Sequence, residues 1–390
     1  MRKVVLVITA TAISLITLAV VFVIWFSGQN NNSATVMSSC GDNVCDKIEL
    51  KRKSCDIDCQ AGSTNVTPIS NSNSSIPTAM VETPANPNVV YLGMMVHLEK
   101  VNDELVNETS FRNHAAAVRK MAQIFLNHNA KATFESGSRF TQACRKWDDN
   151  VLRELYDQGQ GIGLHADLGG KDDGTTQAEF TQAMSQMKTE LEQELSSPIE
   201  HVSGICSAQL DWVKGAIDAG FKFTTGAVGF CAMTLPYEER PTEYQNCVVP
   251  TDCHGEMPLA IKDRVHPWLT SSSSSWLTPD SNGQLAIFPA GNIWKSFSLE
   301  SENVDKVNFG SGFDSKDIDI YFLKLDEVLK YATIDQTNIF YVGWSIGTDE
   351  NINEELFSQF FVRLQPYIDA GQVQWATFSE MYDRFMEKGS

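Results

Sequence analysis

The feature that most constrains this 390-residue chain is a regular alternation of apolar runs and amphipathic segments from Val89 onward. "VVYLGMMVHLE" and "KATFES" have the composition of buried strands, whereas the segment between them places Phe111 and Ala115 at helical spacing. The rhythm continues through seven or eight such units and is interrupted by a loop-rich insertion at about 230–282. Because strands that alternate with helices form parallel sheets, the pattern predicts an α/β fold, a distorted (β/α)7-8 barrel over residues 89–388.

The N-terminal segment predicts a membrane anchor. An apolar run covers residues 4–26, and a helix of that length is roughly 35 Å long, enough to cross a bilayer. Arg2 and Lys3 precede the run and no clear small-residue cleavage site follows it, so residues 1–28 are interpreted as a short cytoplasmic stub and a signal-anchor helix. A cleaved signal peptide is the alternative. The first interpretation predicts a single-pass protein of the cell membrane with its C-terminal domain outside the cell.

Nine cysteines in an exported chain predict disulfides. Four of them stand within residues 38–60, a segment too short to bury a core without bridges, which resembles the small Cys-rich modules of secreted proteins. These four are Cys40, Cys45, Cys55 and Cys59. Residues 61–88, rich in Ser, Thr, Asn and Pro, are interpreted as an extended linker.

Five further cysteines fall in the predicted barrel, so one thiol is left over or pairs between chains. Cys231, Cys247 and Cys253 lie in the insertion, where disulfides that fix a long loop are expected. Cys144 and Cys206 are the other two.

Polar side chains follow the predicted strands, at the end where a parallel barrel carries its active site. The first strand leads to His97 and Glu99, the second to Glu135, and the third to His165 and Asp167. Burying histidines and acids there without a task would be costly, so their convergence predicts a polar cup. His97 precedes Glu99 by two residues, so the two share one side of the strand while it stays extended.

These segments resemble the polysaccharide deacetylases of carbohydrate esterase family four, the NodB-homology fold, over roughly 89–388. "KATFESGSRF" is similar to the family's A-T-F-F-x-x-G strand and turn, and "LYDQGQGIGLHADLG" is similar to G-H-E-I-G-x-H-[ST]-x-x-H. "LDWVKGAIDAGFKFTTGAVG" is similar to the helix and strand after the third motif. The resemblance implies a barrel of the polysaccharide deacetylase type and a hydrolase that removes acetyl groups from amide or ester positions of a glycan. It also implies a divalent metal, usually zinc, held by one aspartate and two histidines.

The motifs depart from the family's pattern at several positions. His165 matches the first metal histidine, but Gly169 stands where the second is expected, and "VGWSIG" with Trp344 replaces the closing histidine motif. The family's T-F-D-D strand corresponds to "MVHLE". The resemblance therefore implies an altered ligand set, which comprises Glu99, His165 and His97, with His266 as a candidate replacement. The residues expected to serve catalysis are His97, Glu99, Asp167 and Glu135, and Asp167 is also an alternative third ligand.

Composition and aromatic residues bear on the partners. The net charge of −19 would repel a phosphate backbone, so nucleic acid is excluded as an expected partner. Trp268, Trp276 and Trp344 are candidates to stack against sugar rings, and buried loop aromatics are the alternative. The expected partners are an extracellular glycan and, through residues 4–26, the lipid bilayer.

Three functions are compatible with these observations. The first is a membrane-tethered, metal-assisted glycan deacetylase. The second is a catalytically inactive carbohydrate-binding or envelope surface protein on the same barrel, which needs no cofactor. The third is a glycoside hydrolase with Glu99 and Glu135 across the cleft.

Overall fold

The structure is a computed structural model, and all the residues it describes lie within the unit Val81–Ser390. The described ranges are 88–98, 101–170, 174–247, 253, 259–289, 315–345 and 352–389. No helix within these ranges has the length and apolar character needed to cross a membrane. The anchor predicted at residues 4–26, the Cys-rich module and most of the linker lie outside the described residues, and so does Glu99.

The described strands form one curved sheet. In chain order they are β1 (Val90–His97), β2 (Thr133–Ser136), β3 (Gly161–His165), β4 (His201–Ser203), β5 (Phe223–Thr224), β6 (Trp268–Thr270), β7 (Leu285–Ile287), β8 (Asn338–Ser345) and β9 (Val373–Trp375). Their order across the sheet is β6-β7-β5-β4-β3-β2-β1-β8, and β9 pairs with the start of β1. Every described pairing is parallel except that of β6 with β7.

The two edges of the sheet approach each other. The backbone N–H of Ile339 in β8 donates to the carbonyl of Val265, three residues before β6, at 2.8 Å. The sheet is therefore a nearly closed barrel, as the alternation of strands and helices predicts.

Helices follow the strands in the predicted βα rhythm. They are α1 (Glu108–Asn127), α2 (Ser138–Lys146), α3 (Val151–Asp157), α4 (Gln177–Leu195), α5 (Trp212–Asp218), α6 (Ser315–Tyr331), α7 (Glu354–Asp369) and α8 (Phe378–Gly389). Short polar residues begin several of them: Asn107 accepts from the backbone N–H of Ser110, and Thr176 forms a reciprocal capping box with Glu179. These side chains satisfy backbone N–H groups that have no partner inside the helix.

The alternation of side chains along β1 explains how the barrel interior becomes polar at one end. Val90, Leu92, Met94 and Val96 belong to the core shared with the helices, whereas Tyr91 and Met95 belong to the core inside the barrel. His97 continues the second series, so it points into the barrel where the strand ends. The strand period thus delivers an imidazole to the C-terminal end of the barrel.

The described part of the insertion predicted at about 230–282 contains four short 3-10 helices and the antiparallel strand β6. The 3-10 helices are Gly229–Thr234, Tyr237–Glu239, Thr242–Tyr244 and Ile261–Asp263. Two disulfides fix this region, Cys206–Cys231 and Cys247–Cys253. The expected bridges at Cys231, Cys247 and Cys253 are confirmed, and Cys144 is the buried thiol left over among the described cysteines. The four cysteines of the N-terminal module lie outside the described residues.

Candidate metal centre

Three neighbouring strands bring His97, Glu135 and His165 to one point inside the barrel. The register of β1 and β2 places His97 opposite Glu135, and that of β2 and β3 places Glu135 opposite Gly163, two residues before His165. Leu164, which precedes His165 in β3, belongs instead to the core shared with the helices. Because side chains alternate along each strand, all three polar residues share the interior face.

The polar atoms of these three side chains are close together. Nε2 of His97 lies 2.9 Å from Oε2 of Glu135, and Nδ1 of His165 lies 3.9 Å from the same oxygen. The two imidazole rings are 4.1 Å apart between centroids and inclined by 31°. All three side chains are buried, and His165, at 8% exposure, is the most accessible.

The triad fits a divalent metal. One ligand atom from each residue lies within 4.8 Å of the others. Ligands of a tetrahedral zinc ion with bonds of about 2.1 Å are separated by roughly 3.4 Å. This separation falls between the 2.9 Å from His97 to Glu135 and the 4.8 Å limit of the triad. Two imidazoles and one carboxylate are also a donor set that zinc accepts. A buried His-Glu-His triad that can bind a divalent metal is therefore present.

Glu135 is the charged centre of the site. Its carboxylate has no solvent exposure, and burial alone would raise its pKa. The charges and hydrogen bonds of His201 and His97 outweigh burial and hold the pKa of Glu135 below its ordinary value of 4.5. The carboxylate is therefore ionised at neutral pH, and in this dry setting it needs a neighbouring cation.

Three further residues hold Glu135, and none of them was predicted from the sequence as a site residue. Ser203 Oγ donates to Oε2 of Glu135, and Thr225 Oγ1 donates to Oε1 at 2.9 Å. His201 Nε2 lies 3.1 Å from Oε1. His201 and Ser203 are two residues apart and therefore share one face of their strand. This spacing was the sequence signal that both could point into the barrel. His201 begins β4, so its imidazole enters the barrel from the strand itself and not from the loop that follows it.

Two glycines make room for the imidazoles. A Cβ at Gly163 would lie 2.8 Å from Cε1 of His201, and a Cβ at Gly204 would lie 2.7 Å from Cε1 of His165. Gly204 also has a φ of 68°, a conformation that glycine adopts without strain. The glycines beside the site are therefore required by its close packing.

The remaining predicted ligands lie elsewhere. Asp167 is exposed, just past β3, with a φ of 47°, and the triad formed by the described residues does not include it. His266 lies 3.3 Å from the carbonyl of Thr337, which precedes β8, whereas His97 pairs with the last residue of that strand. β8 is roughly 23 Å long from the end near Thr337 to the end beside His97, and this length separates His266 from the triad. The prediction of His266 as a replacement ligand is therefore wrong.

The prediction that Trp268 and Trp276 stack against sugars is also corrected. Both rings are buried, Trp276 with no exposure at all. The indole N–H of Trp268 donates to the carbonyl of Trp276, and that of Trp276 donates to the carbonyl of Cys231. A buried ring offers no face to a ligand, so these residues pack the insertion against the barrel. Of Trp344, in β8, only the backbone is described, and its role stays a prediction.

Comparison with known proteins gives likenesses in fold. No protein-family model matches the sequence, and no curated protein matches it. A protein assigned as a polysaccharide deacetylase from Mycobacterium smegmatis is similar in structure, with 11% identity, a TM-score of 0.48, and coverage of 77% of this chain and 92% of that one. Another so assigned, from Pseudomonas aeruginosa PAO1, has 9% identity and a TM-score of 0.46, with coverage of 76% and 90%. A CE4-family pseudoenzyme from Bacillus anthracis has 8% identity and a TM-score of 0.36, with coverage of 76% and 66%.

The structural neighbours thus include polysaccharide deacetylases, the family that the sequence motifs resemble. Identities of this size concern the fold alone, and one neighbour is a pseudoenzyme. The function has to be inferred from the side chains of the site.

Proposed function

We propose that this chain is a metal-dependent hydrolase that removes acetyl groups from a glycan. The observation that carries the proposal is the fully buried carboxylate of Glu135 held against His97 and His165. Three protein ligands of this kind are typical of catalytic zinc sites, in which a fourth position stays open for water or substrate. The donor set supports zinc as the metal.

The exposure of the triad indicates the side from which substrate approaches. His165 is more accessible than Glu135, and the exposed Asp167 follows it by two residues. A divalent cation at these ligands would supply a Lewis acid for the acyl carbonyl. Glu135 and the two imidazoles fix the position of that charge, and the carboxylate of Asp167 is assigned the role of accepting the proton of the attacking water.

The glycan and the location are proposed from the sequence. The motifs "KATFESGSRF" and "GIGLHADLG" support an acetylated polysaccharide as substrate, with an amide or an ester as the scissile bond. The apolar run at 4–26 and the Cys-rich module at 38–60 support an ectodomain that is tethered to the membrane and exposed outside the cell.

Two measurements on the full-length protein test this proposal. Elemental analysis is expected to find one divalent metal per chain in the wild type and much less in Glu135→Gln. Acetate release from N- and O-acetylated oligosaccharides is expected to require the metal and to fall in Asp167→Asn, which retains it. A wild-type chain without metal would refute the metal site, and a loaded chain that releases no acetate from any of these substrates would refute the deacetylase.

A second candidate is a binding protein without activity. It is favoured by the completeness of the hydrogen bonding around Glu135, where Ser203 and Thr225 both donate to the carboxylate. A buried, satisfied carboxylate can serve structure alone. This candidate predicts glycan binding that survives both a chelator and Glu135→Gln.

The glycoside hydrolase receives less support. A general acid for glycoside cleavage needs a raised pKa and access to the leaving group. Burial excludes Glu135 from substrate, and its histidine neighbours hold its pKa low. Glu135 is therefore not assigned to that role.

A further inference from the structure

The hydroxyl groups of Ser203 and Thr225 connect Glu135 to two histidines. Ser203 Oγ contacts both Oε2 of Glu135 and, at 2.8 Å, Nδ1 of His165. Thr225 Oγ1 contacts Oε1 of Glu135 and, at 2.7 Å, Nε2 of His201. Each hydroxyl thus stands between an imidazole nitrogen and one carboxylate oxygen.

The number of protons fixes the direction of these bonds. A hydroxyl has one proton, and in the structure the carboxylate oxygens of Glu135 accept from both hydroxyls. Ser203 and Thr225 therefore donate to Glu135, and the imidazoles must donate to the hydroxyls. It follows that the proton of His165 is on Nδ1 and that His201 carries a proton on Nε2.

The tautomer of His165 decides which of its nitrogens can bind a metal. With Nδ1 protonated, the lone pair of a neutral imidazole is on Nε2. Metal-binding histidines usually donate their second N–H to an oxygen, which orients the ring and strengthens the ligand. Ser203 supplies that oxygen here, and it also holds the carboxylate of the neighbouring ligand.

The ring of His201 is held in place by packing against aromatic side chains. Its ring stacks on Phe223, with 4.9 Å between centroids and 5° between planes, and meets Phe378 edge-on at 5.2 Å. Its Nδ1 is buried without a hydrogen-bond partner among the described residues, and it lies against Gly163. The side of the ring that carries the Nε2 proton therefore faces Thr225 and Glu135.

We propose that Ser203, Thr225 and His201 are positioning residues that hold both oxygens of Glu135, and that Ser203 also fixes the ring of His165 through its Nδ1. This inference rests on the proposed metal site. All three side chains are buried, and each acts through a ligand of the triad. The arrangement gives the two hydroxyls separate tasks, since only Ser203 touches two ligands at once.

Metal affinity of the full-length protein tests the proposal without measuring activity. The metal-free chain is titrated with Zn²⁺ and Co²⁺ by calorimetry and by the cobalt absorption spectrum. Ser203→Ala and Thr225→Val are expected to weaken binding about ten- to a hundredfold and to alter the cobalt spectrum, because they release neighbours of the ligands. Thr225→Ser keeps the hydroxyl and is expected to bind within about threefold of the wild type.

Thr224→Val is the matched control. It makes the same substitution one residue earlier, at a buried threonine whose hydroxyl bonds only to the backbone carbonyl of Thr225 among the described residues. If Ser203→Ala and Thr225→Val bind as tightly as Thr224→Val, the positioning role is overturned while the metal site stands. If the wild type binds neither ion, the proposed metal site and this inference fall together.

The tautomer is read independently of any variant. In wild-type protein labelled with 15N-histidine, Nδ1 of His165 is expected to be protonated before metal is added. An unprotonated Nδ1 overturns the inference even if a variant does not fold.

Discussion

Gly163→Ala tests the packing on which the site depends. A Cβ at this position would lie 2.8 Å from Cε1 of His201, and closer still to Nδ1, whereas nonbonded heavy atoms normally stay about 3.5 Å apart. The ring would have to move by about 1 Å, and Phe223 and Phe378 block its retreat. The movement would break the 2.7 Å contact with Thr225 and the 3.1 Å contact with Glu135.

The cost can be worked out from these contacts. Overpacking of this kind costs about 1–3 kcal/mol, and loss of the hydrogen bonding adds about 1–3 kcal/mol. The gain from replacing a strand glycine offsets about 0.5–1 kcal/mol, because the φ of Gly163 is not positive. We expect the free energy of unfolding to fall by about 2–4 kcal/mol, measured by urea denaturation followed by tryptophan fluorescence.

Gly169→Ala is the control, since among the described residues a Cβ there would meet only the carbonyl of Cys206, at 3.4 Å. It is expected to change the free energy of unfolding by less than about 0.5 kcal/mol. The double variant Gly163→Ala with His201→Ala removes the clash, so its loss should be smaller than the sum of the two single losses. Equal stability of Gly163→Ala and Gly169→Ala would refute the close packing of His201.

Further predictions concern charge, covalent links and buried side chains. Because the pKa of Glu135 is lowered in the folded state, its ionised form stabilises the protein above pH 4.5, and this contribution is lost as the pH falls further. Glu135→Gln should therefore lower the free energy of unfolding by about 3–5 kcal/mol at pH 7, and urea denaturation at a series of pH values should show that gap narrowing only below pH 4.5. Replacing Cys206 and Cys231 by serine should cost about 3 kcal/mol in the same assay, since the bridge closes a 25-residue separation. Trp276→Ala should cost about 3–5 kcal/mol, and a loss of glycan affinity with unchanged stability would contradict its burial. Burial, reinforced by the nearby Glu194, raises the pKa of Cys144, so its alkylation by iodoacetamide should be slow until the protein is denatured; fast native labelling, read by mass spectrometry, would contradict this.

Much of the fold and part of the site were predictable because they depend on local periodicity. The alternation of strands and helices predicted the barrel, and the residues at the strand ends included all three members of the triad, His97, Glu135 and His165. The assignment of roles was less successful. Glu135 was expected as a catalytic acid, whereas the register of β1 and β2 places it beside His97, where it serves as a ligand candidate.

The site roles of the two hydroxyl groups and of His201 could not be assigned from the sequence, because they depend on which strands pair. Ser203 and Thr225 lie on strands whose neighbours and level are set by pairing across the sheet, and a hydroxyl has no distinctive sequence signal. The aromatic residues of the insertion present the same problem. Trp268 and Trp276 have the composition of a sugar platform, but only tertiary packing shows that their rings are enclosed.

The sequence by itself determined which side chains of a strand share one face, because a strand alternates its faces with a fixed period of two residues. It also determined the excess of acids, the apolar N-terminal run and the cysteines available for bridges. The tertiary structure decided which of those side chains meet. Register, curvature of the sheet and the space left at Gly163 and Gly204 are relations between distant residues, and they place a buried carboxylate among imidazoles where a metal can bind.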